Sequence, residues 1–358
     1  MEKKRQIAIL FGGCSPEYEV SLQSAYSVIS HLNKDRYTLI LLGISRTGEW
    51  FCFTGEPEKI KEDTWCNETD CIPAVLSSDR GKRGVWLLQE RPGFLSLDAV
   101  FPVLHGKNGE DGTVQGLAEL AGLPLIGCGV LASALCMDKD RAHRLVQAAG
   151  IRVPKAMVIE STGWKREKED KADVQRFTEG LGYPLYVKPV KAGSSFGVTK
   201  VLRPEELEEA IERAFAYDSQ VILEENIEGF EVGCAVLGTE ELLVGEVDEI
   251  RLGEGTEGFF DFTEKYTLQN SAIYVPARIP VKKAEEIKRT AKQIYRVLGC
   301  SCFARVDMFL TPDGEIVFNE VNTIPGFTEH SRYPGMMRAA GYPIEEVLER
   351  ICQCGLEG

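Results

Sequence analysis

Near its C-terminal end the chain carries two carboxylates and an amide on two segments that read as the arms of one hairpin. Ala304-Arg305-Val306-Asp307-Met308-Phe309 and Ile316-Val317-Phe318-Asn319-Glu320-Val321-Asn322 flank a Thr-Pro-Asp-Gly turn. Each arm alternates apolar with polar residues, the period of a strand with one buried and one polar face. An even loop, either Asp313-Gly314 or Pro312 to Glu315, sets Asp307 opposite Glu320 and Arg305 opposite Asn322. An odd loop without a compensating bulge sends Glu320 to the other face and dissolves the group. On one face, Asp307, Glu320 and Asn322 would repel unless cations sat between them, and hard oxygen donors select Mg²⁺ or Mn²⁺ together with substrate phosphates. The same alternation also describes an amphipathic hairpin with a solvated polar face.

A second cation-bearing element lies upstream. Lys188 ends the apolar run Leu185-Tyr186-Val187 and leads into Val190-Lys191-Ala192-Gly193-Ser194-Ser195-Phe196-Gly197. A small-residue loop of this kind lets backbone N–H groups approach phosphate oxygens, with the lysine as a point charge. It is not a P-loop, because Lys188 precedes the glycines; a surface hairpin would read the same way. Next, Val221-Ile222-Leu223 runs into Glu224-Glu225-Asn226-Ile227-Glu228-Gly229-Phe230-Glu231. Such an acidic hinge can meet adenine with its backbone and ribose with a carboxylate, or can be an ordinary acidic turn.

These groups need a scaffold, and 358 residues with 44% hydrophobic content imply two or three cores. A formal net charge of -14 excludes nucleic acid as a partner, since no basic patch of adequate size occurs. No apolar run reaches the roughly 18 residues of a membrane span, and no signal-peptide pattern opens the chain. A cytoplasmic protein with no membrane contact is expected. Its eleven cysteines are scattered and lack Cys-x-x-Cys pairs, so they read as reduced, mostly buried small hydrophobes.

Residues 7 to 11 read as a buried strand, followed by a Gly-Gly turn, a helix through about His31, and strands near 37 to 44 and 97 to 103, a doubly wound α/β start. A dinucleotide fold is excluded, because only Gly12-Gly13 stands where Gly-x-Gly-x-x-Gly is needed. Residues 54 to 84 read as a peripheral excursion, Leu131 to Ala149 as one helix closed by Gly150, and Trp164 to Asp173 as a mobile solvated connection. Later come strands at 230 to 237 and 242 to 250, an omega-like loop at 251 to 270 and a helix from about 282 to 298.

A lysine with a Gly/Ser flap, then an acidic hinge, then a carboxylate hairpin is an order that resembles the ATP-grasp superfamily. More closely, Phe11-Gly12-Gly13-Cys14-Ser15-Pro16-Glu17-Tyr18-Glu19-Val20-Ser21, His105-Gly106-Lys107-Asn108-Gly109-Glu110-Asp111-Gly112, Met137-Asp138-Lys139, Glu264-Lys265-Tyr266 and Asn322-Thr323-Ile324-Pro325-Gly326-Phe327-Thr328 look like the D-alanine:D-alanine ligase family, over essentially the whole chain. The resemblance implies a three-domain α/β ATP-grasp fold. Residues 1–130 would form an N-terminal α/β domain, 131–226 a central ATP-grasp domain and 227–358 the catalytic domain, with ATP between the last two. It also implies a homodimer that joins two D-amino acids through an acylphosphate.

By that similarity, Lys139 and Lys188 meet the phosphates of ATP, Glu224 and Ile227 the adenine, and Glu231 the ribose, with Ser195 and Glu225 also in the ATP site. Asn319, Glu320 and Lys265 complete the nucleotide site, with Lys265 at the γ-phosphate. Asp307, Glu320 and Asn322 would bind two Mg²⁺ or Mn²⁺ ions. Arg305 and the backbone N–H of Gly326 would steady the oxyanion, Glu17 the ammonium of the first D-alanine, and His105 that substrate or the phosphoryl group. Glu17, Ser194 and Tyr266 would form a hydrogen-bonded triad ordering the flap. The alternative for Glu17 is an acid placed at a helix N-terminus by the dipole.

The chain departs from many D-alanine:D-alanine ligases at Phe260, which has no hydroxyl, and at Arg332, which follows Ser331, the expected ligand of the second carboxylate. This pattern resembles the D-alanine:D-serine ligases of glycopeptide-resistant bacteria, with Asp248 contributing to the serine pocket, while Lys265-Tyr266 argues against a D-lactate enzyme. A surface salt bridge is the other reading of Arg332. The near alternative is D-alanine:D-alanine ligation for ordinary cell-wall synthesis. A nucleotide-binding sensor that has lost its chemistry should also have lost a metal ligand or Arg305, and both are present.

Overall fold

The computed structural model describes residues 3–166, 168–252 and 271–357. They build three sheets. In the first, Arg5–Gly12 lies between Tyr37–Ile44 and Ala99–Pro102 and is parallel to both. Its run Ile7-Ala8-Ile9-Leu10-Phe11 is fully buried, as a central parallel strand with both faces covered requires. Four more strands continue that sheet in antiparallel sense: Trp50–Phe53, Cys71–Leu76, Gly84–Leu87 and Gly93–Ser96.

Residues 54 to 84 are therefore not the peripheral excursion that their composition suggests. They supply sheet strands, and Trp65 is completely buried, with its ring 4.8 Å from that of Phe11 and its indole N–H donating to the Tyr18 hydroxyl at 2.9 Å. One aromatic anchor outweighs the many polar residues around it.

The second sheet pairs Leu185–Pro189 with Gln220–Glu225, flanked by Thr199–Val201 and Ala156–Glu160. Its cover includes the stretch expected to be a solvated connection. That stretch lies in the helices Ser161–Arg166 and Lys168–Leu181, because Trp164 and Val174 bury themselves in the same core. The third sheet, of six strands, carries the hairpin Phe303–Leu310 and Ile316–Asn322 beside Phe230–Leu237, backed by the helix Val281–Val297. The strand expected at 242 to 250 is split into Leu243–Val244 and Asp248–Leu252. The loop expected at 251 to 270 lies almost wholly outside the described residues.

A further difference falls at Asp138. The expected single helix is two, Val130–Met137 and Lys139–Ala148. Asp138 is extended (φ -89°, ψ 98°) and its carboxylate accepts the Arg141 N–H at 3.0 Å, which is N-capping in place of helix continuation. The break puts Lys139 on the first turn of the second helix, where its Nζ donates to the Ala192 carbonyl in the flap at 2.7 Å.

Sheets one and three are locked together by a run of edge-on and tilted rings. Phe101 lies 6.0 Å from Phe303, Phe303 lies 5.5 Å from Phe327, and Phe327 lies 5.8 Å from Tyr333. All eleven cysteines are free and seven are buried, as expected for small hydrophobes. No described helix is long and apolar enough to cross a membrane. Trp65→Ala is expected to lower stability by about 3–5 kcal/mol, from the transfer and cavity costs of a large buried ring. Urea unfolding followed by far-UV circular dichroism checks it.

Candidate active site

The hairpin reaches its register by an unexpected route. Its loop is odd: Pro312-Asp313-Gly314 is closed by Thr311 N–H donating to Glu315 O (3.0 Å), with Gly314 N–H donating to Thr311 O (2.9 Å) and Gly314 at φ +87°. This places Leu310 opposite Ile316 and Met308 opposite Phe318, one residue out of step with the even-loop pairing. A bulge at Asn319 then restores it, so that Asp307 faces Glu320 and Arg305 faces Asn322. Two residues opposing one is what a bulge provides, and here it returns Glu320 to the face of Asp307. The Asn322 side-chain N–H donates to Asp307 Oδ2 at 2.9 Å.

Facing this hairpin from the second sheet is a cleft of about 500 Å³ lined by Lys139, Lys188, Ser195, Glu224, Glu225, Ile227, Glu231, Asn319 and Glu320. That is the size range of small-molecule sites. Lys188 Nζ lies 2.5 Å from Glu224 Oε2 inside it. Burial works against both charges, but each partner holds the other ionised. The Lys188 ammonium is raised by Glu224, and the Glu224 carboxyl is lowered by Lys188 with His143 beside it. Lys188, expected on phosphate, is thus engaged with Glu224, expected on adenine.

A smaller cavity of about 80 Å³ opens on the other side of Arg305, lined by Glu17, His105, Glu110, Ser194, Asn322, Gly326, Ser331 and Arg332 among others. Glu17 sits at the N-cap position of helix Tyr18–His31 but makes no capping hydrogen bond with its side chain. Its carboxylate instead accepts the Ser194 hydroxyl across 177 positions. Ser194 and Ser195 have φ of 46° and 61°, a left-handed conformation that costs a non-glycine residue local strain. Gly106 is at φ +70°, a left-handed conformation that favours glycine, and a Cβ there would lie 2.3 Å from Glu17 Oε2 and displace the carboxylate. His105 Nε2 is 3.2 Å from Ser24 Oγ. Burial lowers its titration to about 4, which makes it a neutral ring at pH 7.

Arg332 is not at the surface. It is buried and reaches three carboxylates: Asp248 at 2.7 and 2.9 Å, Glu231 at 2.6 Å and Asp307 at 3.4 Å. Arg305 holds Asp307 bidentately at 2.8 and 2.7 Å. Asp248, expected in the serine pocket, does not line the small cavity; it is fully buried behind Arg332, where it also accepts the Gly233 N–H at 2.7 Å. A Cβ at Gly233 would come within 2.4 Å of the Arg332 guanidinium. Through Glu231 and Arg332 the two cavities share one ion-pair chain.

Oxygen donors of this kind suit Mg²⁺ or Mn²⁺. Asp307 and Glu320 are adjacent, Asn322 adds an amide, and Glu320 also lines the nucleotide-sized cleft. Among the described residues no three His, Cys, Asp or Glu side chains converge as a metal cluster, so the candidate set rests on the amide and on phosphate oxygens for the rest of its coordination. Phe260, Lys265 and Tyr266 lie outside the described residues.

A nucleotide-sized cleft between two sheets, linked to a small cavity by the Glu231–Arg332 ion pair, is the arrangement of an enzyme with the ATP-grasp fold. Family profiles described as D-ala D-ala ligase N-terminus and D-ala D-ala ligase C-terminus match residues 6–128 and 145–353, and the chain belongs to that ATP-dependent ligase family. Among solved structures it is similar to the VanG D-Ala:D-Ser ligase from Enterococcus faecalis, with TM-score 0.90 and 53% identity, covering 99% of this chain and 100% of that one. It is also similar to the vancomycin B-type resistance protein VanB of Enterococcus faecalis, 44% identical over 99% of both chains. A D-alanine–D-alanine ligase of Caldicellulosiruptor bescii is 40% identical over 99% of this chain and 96% of its own.

Two residues of this site escape motif reading. Glu110 accepts the Gly106 N–H at 2.8 Å and the Ile324 N–H at 3.1 Å, and burial together with Glu17 pushes its carboxyl up to about 8. The quoted Gly-Glu-Asp-Gly stretch holds its only signal. His143 gives no sequence signal beyond its place on an amphipathic helix.

Because His105 is buried neutral, its contribution to stability is complete above the unfolded value near 6.5 and is lost as pH falls toward about 4. His105→Gln should remove about 2 kcal/mol of acid sensitivity between pH 7 and pH 5, seen as a shallower fall in unfolding free energy. An unchanged pH slope contradicts the assignment.

Proposed function

We propose that this chain ligates D-alanine to D-serine with ATP, and that Arg332, held by Asp248 beside Ser331, is the observation that favours serine. Transfer of the γ-phosphoryl group to the D-alanine carboxylate gives D-alanyl phosphate and ADP. The D-serine amine then attacks the carbonyl, phosphate leaves, and the amine loses a proton. Positioning and fixed positive charge are the chief needs of both steps.

In this reading Lys139, Lys188 and Ser195 bind phosphates, Glu224, Glu225 and Ile227 the base, and Glu231 the ribose. Asp307, Glu320 and Asn322 would hold Mg²⁺ or Mn²⁺, whose role is to neutralise charge on the phosphates. Glu17 takes the first ammonium, and Arg305 with the Gly326 N–H meets the oxyanion. The Glu17–Ser194 contact supports a flap that covers the acylphosphate and keeps water from it. Ser331 and Arg332 line the cavity where the second amino acid binds, and a guanidinium there can hydrogen-bond a hydroxymethyl group. A pocket built on hydrogen bonds can prefer serine strongly, whereas alanine stays a poorer substrate. The same reading takes the protein as a cytoplasmic homodimer divided at residues 130 and 226, serving modified cell-wall precursors and glycopeptide resistance.

Phosphate release with D-alanine alone and with added D-serine tests the specificity. D-serine should raise the rate and yield the mixed dipeptide; an unchanged rate and product would leave D-alanine:D-alanine ligation, and no turnover with any D-amino acid would leave a nucleotide-binding protein. Arg305→Lys should lower kcat by about 10²-fold while KM for ATP moves by less than about 3-fold, because a lysine cannot reproduce the planar fork.

A further inference from the structure

The bulge that sets the hairpin register leaves the Asn319 carbonyl outside the ladder, and a side chain from another element takes it. His143, buried on helix Lys139–Ala148, has Nε2 at 2.9 Å from Asn319 O, and its ring packs edge-on to Phe318 at 5.5 Å. A carbonyl only accepts, so Nε2 carries the hydrogen that meets it and Nδ1 is the ring nitrogen turned away from the bulge. That Nδ1 lies 3.7 Å from Glu224 Oε1, and both atoms are buried without a hydrogen-bond partner among the described residues. Two buried acceptors at that distance leave a slot for one hydrogen, filled by a proton on the ring or by a donor on a ligand. Glu224 is thereby bounded on two sides, bonded to Lys188 at Oε2 and faced by the imidazole at Oε1.

We propose that His143 is a positioning residue that ties the metal-bearing bulge to the base-reading carboxylate and so sets the preference for a 6-amino over a 6-oxo purine nucleotide. This rests on Glu224 facing the base, as in the function proposed above. A carboxylate oxygen held toward the base accepts from an amino group and repels a carbonyl, and it discriminates only while its rotamer is fixed. Glutamine at 143 can still donate to the Asn319 carbonyl but presents no ring to Glu224. Phenylalanine keeps the packing on Phe318 and loses both polar contacts.

The test is steady-state ligation with ATP and with GTP over a range of Mg²⁺ concentrations, on the wild type, His143→Gln and His143→Phe, with thermal melts of each. The ratio of kcat/KM for ATP to that for GTP should fall about 10-fold in both variants, mainly through KM for ATP, the size expected when one buried contact to a charged group is lost. Only His143→Phe should also need more Mg²⁺ for half-maximal rate. A folded variant with an unchanged ATP-to-GTP ratio overturns the proposal, since a purely structural role lowers both nucleotides alike. Failure of both variants to fold would place His143 in the core and overturn it equally. Absence of turnover in the wild type would instead sink the ligase reading on which it rests.

Discussion

Two guanidinium groups packed among three carboxylates hold this site together. Arg305 and Arg332 share Asp307, while Arg332 also takes Asp248 and Glu231. Arg332, Asp248 and Asp307 are buried and Arg305 and Glu231 partly so, and burial of charge is tolerable only when each group is paired. Removing Arg332 would leave the buried Asp248 with no cation beside it, and breaking a buried pair in that way typically costs about 3–5 kcal/mol. Glu320 stands opposite Asp307 and adds a fourth acid to the group.

The rest of the fold serves this group. The ring contacts from Phe101 to Tyr333 fix the first sheet against the third, so that Glu17 and His105 meet Arg305 across one small cavity. The Asp138 break turns Lys139 toward the flap, and the flap closes on Glu17 through two left-handed serines. Strain concentrated at Ser194 and Ser195 is the kind of local cost that a packed scaffold can sustain at a site.

Much of this was legible in the chain. Alternation predicted both arms of the hairpin, and the continuous apolar runs at 7 to 11 and 221 to 223 predicted buried strands. The facing of Asp307 and Glu320 follows from alternation with an even loop or with an odd loop and a compensating bulge; the protein takes the second route, and a bulge at Asn319 has no compositional mark. Composition misled where one large side chain outweighs many polar ones, as at Trp65 and Trp164. Periodicity misled at Asp138, where a cap and a helix interior share the same apolar spacing. The depth of Arg332 was hidden because its three acids come from separate strands. Nothing in the residue order brings together His143, Glu224 and the Asn319 carbonyl.

A crystal grown with ADP and Mn²⁺ and recorded at the manganese edge addresses most directly whether the late hairpin is a cation site. Anomalous peaks should lie within about 2.0–2.3 Å of oxygens from Asp307, Glu320 and Asn322 and of nucleotide phosphate, with Asp307 shared between Arg305 and the metal. Manganese bound elsewhere, with Asp307 held by the two arginines alone while nucleotide fills the cleft, would contradict the account.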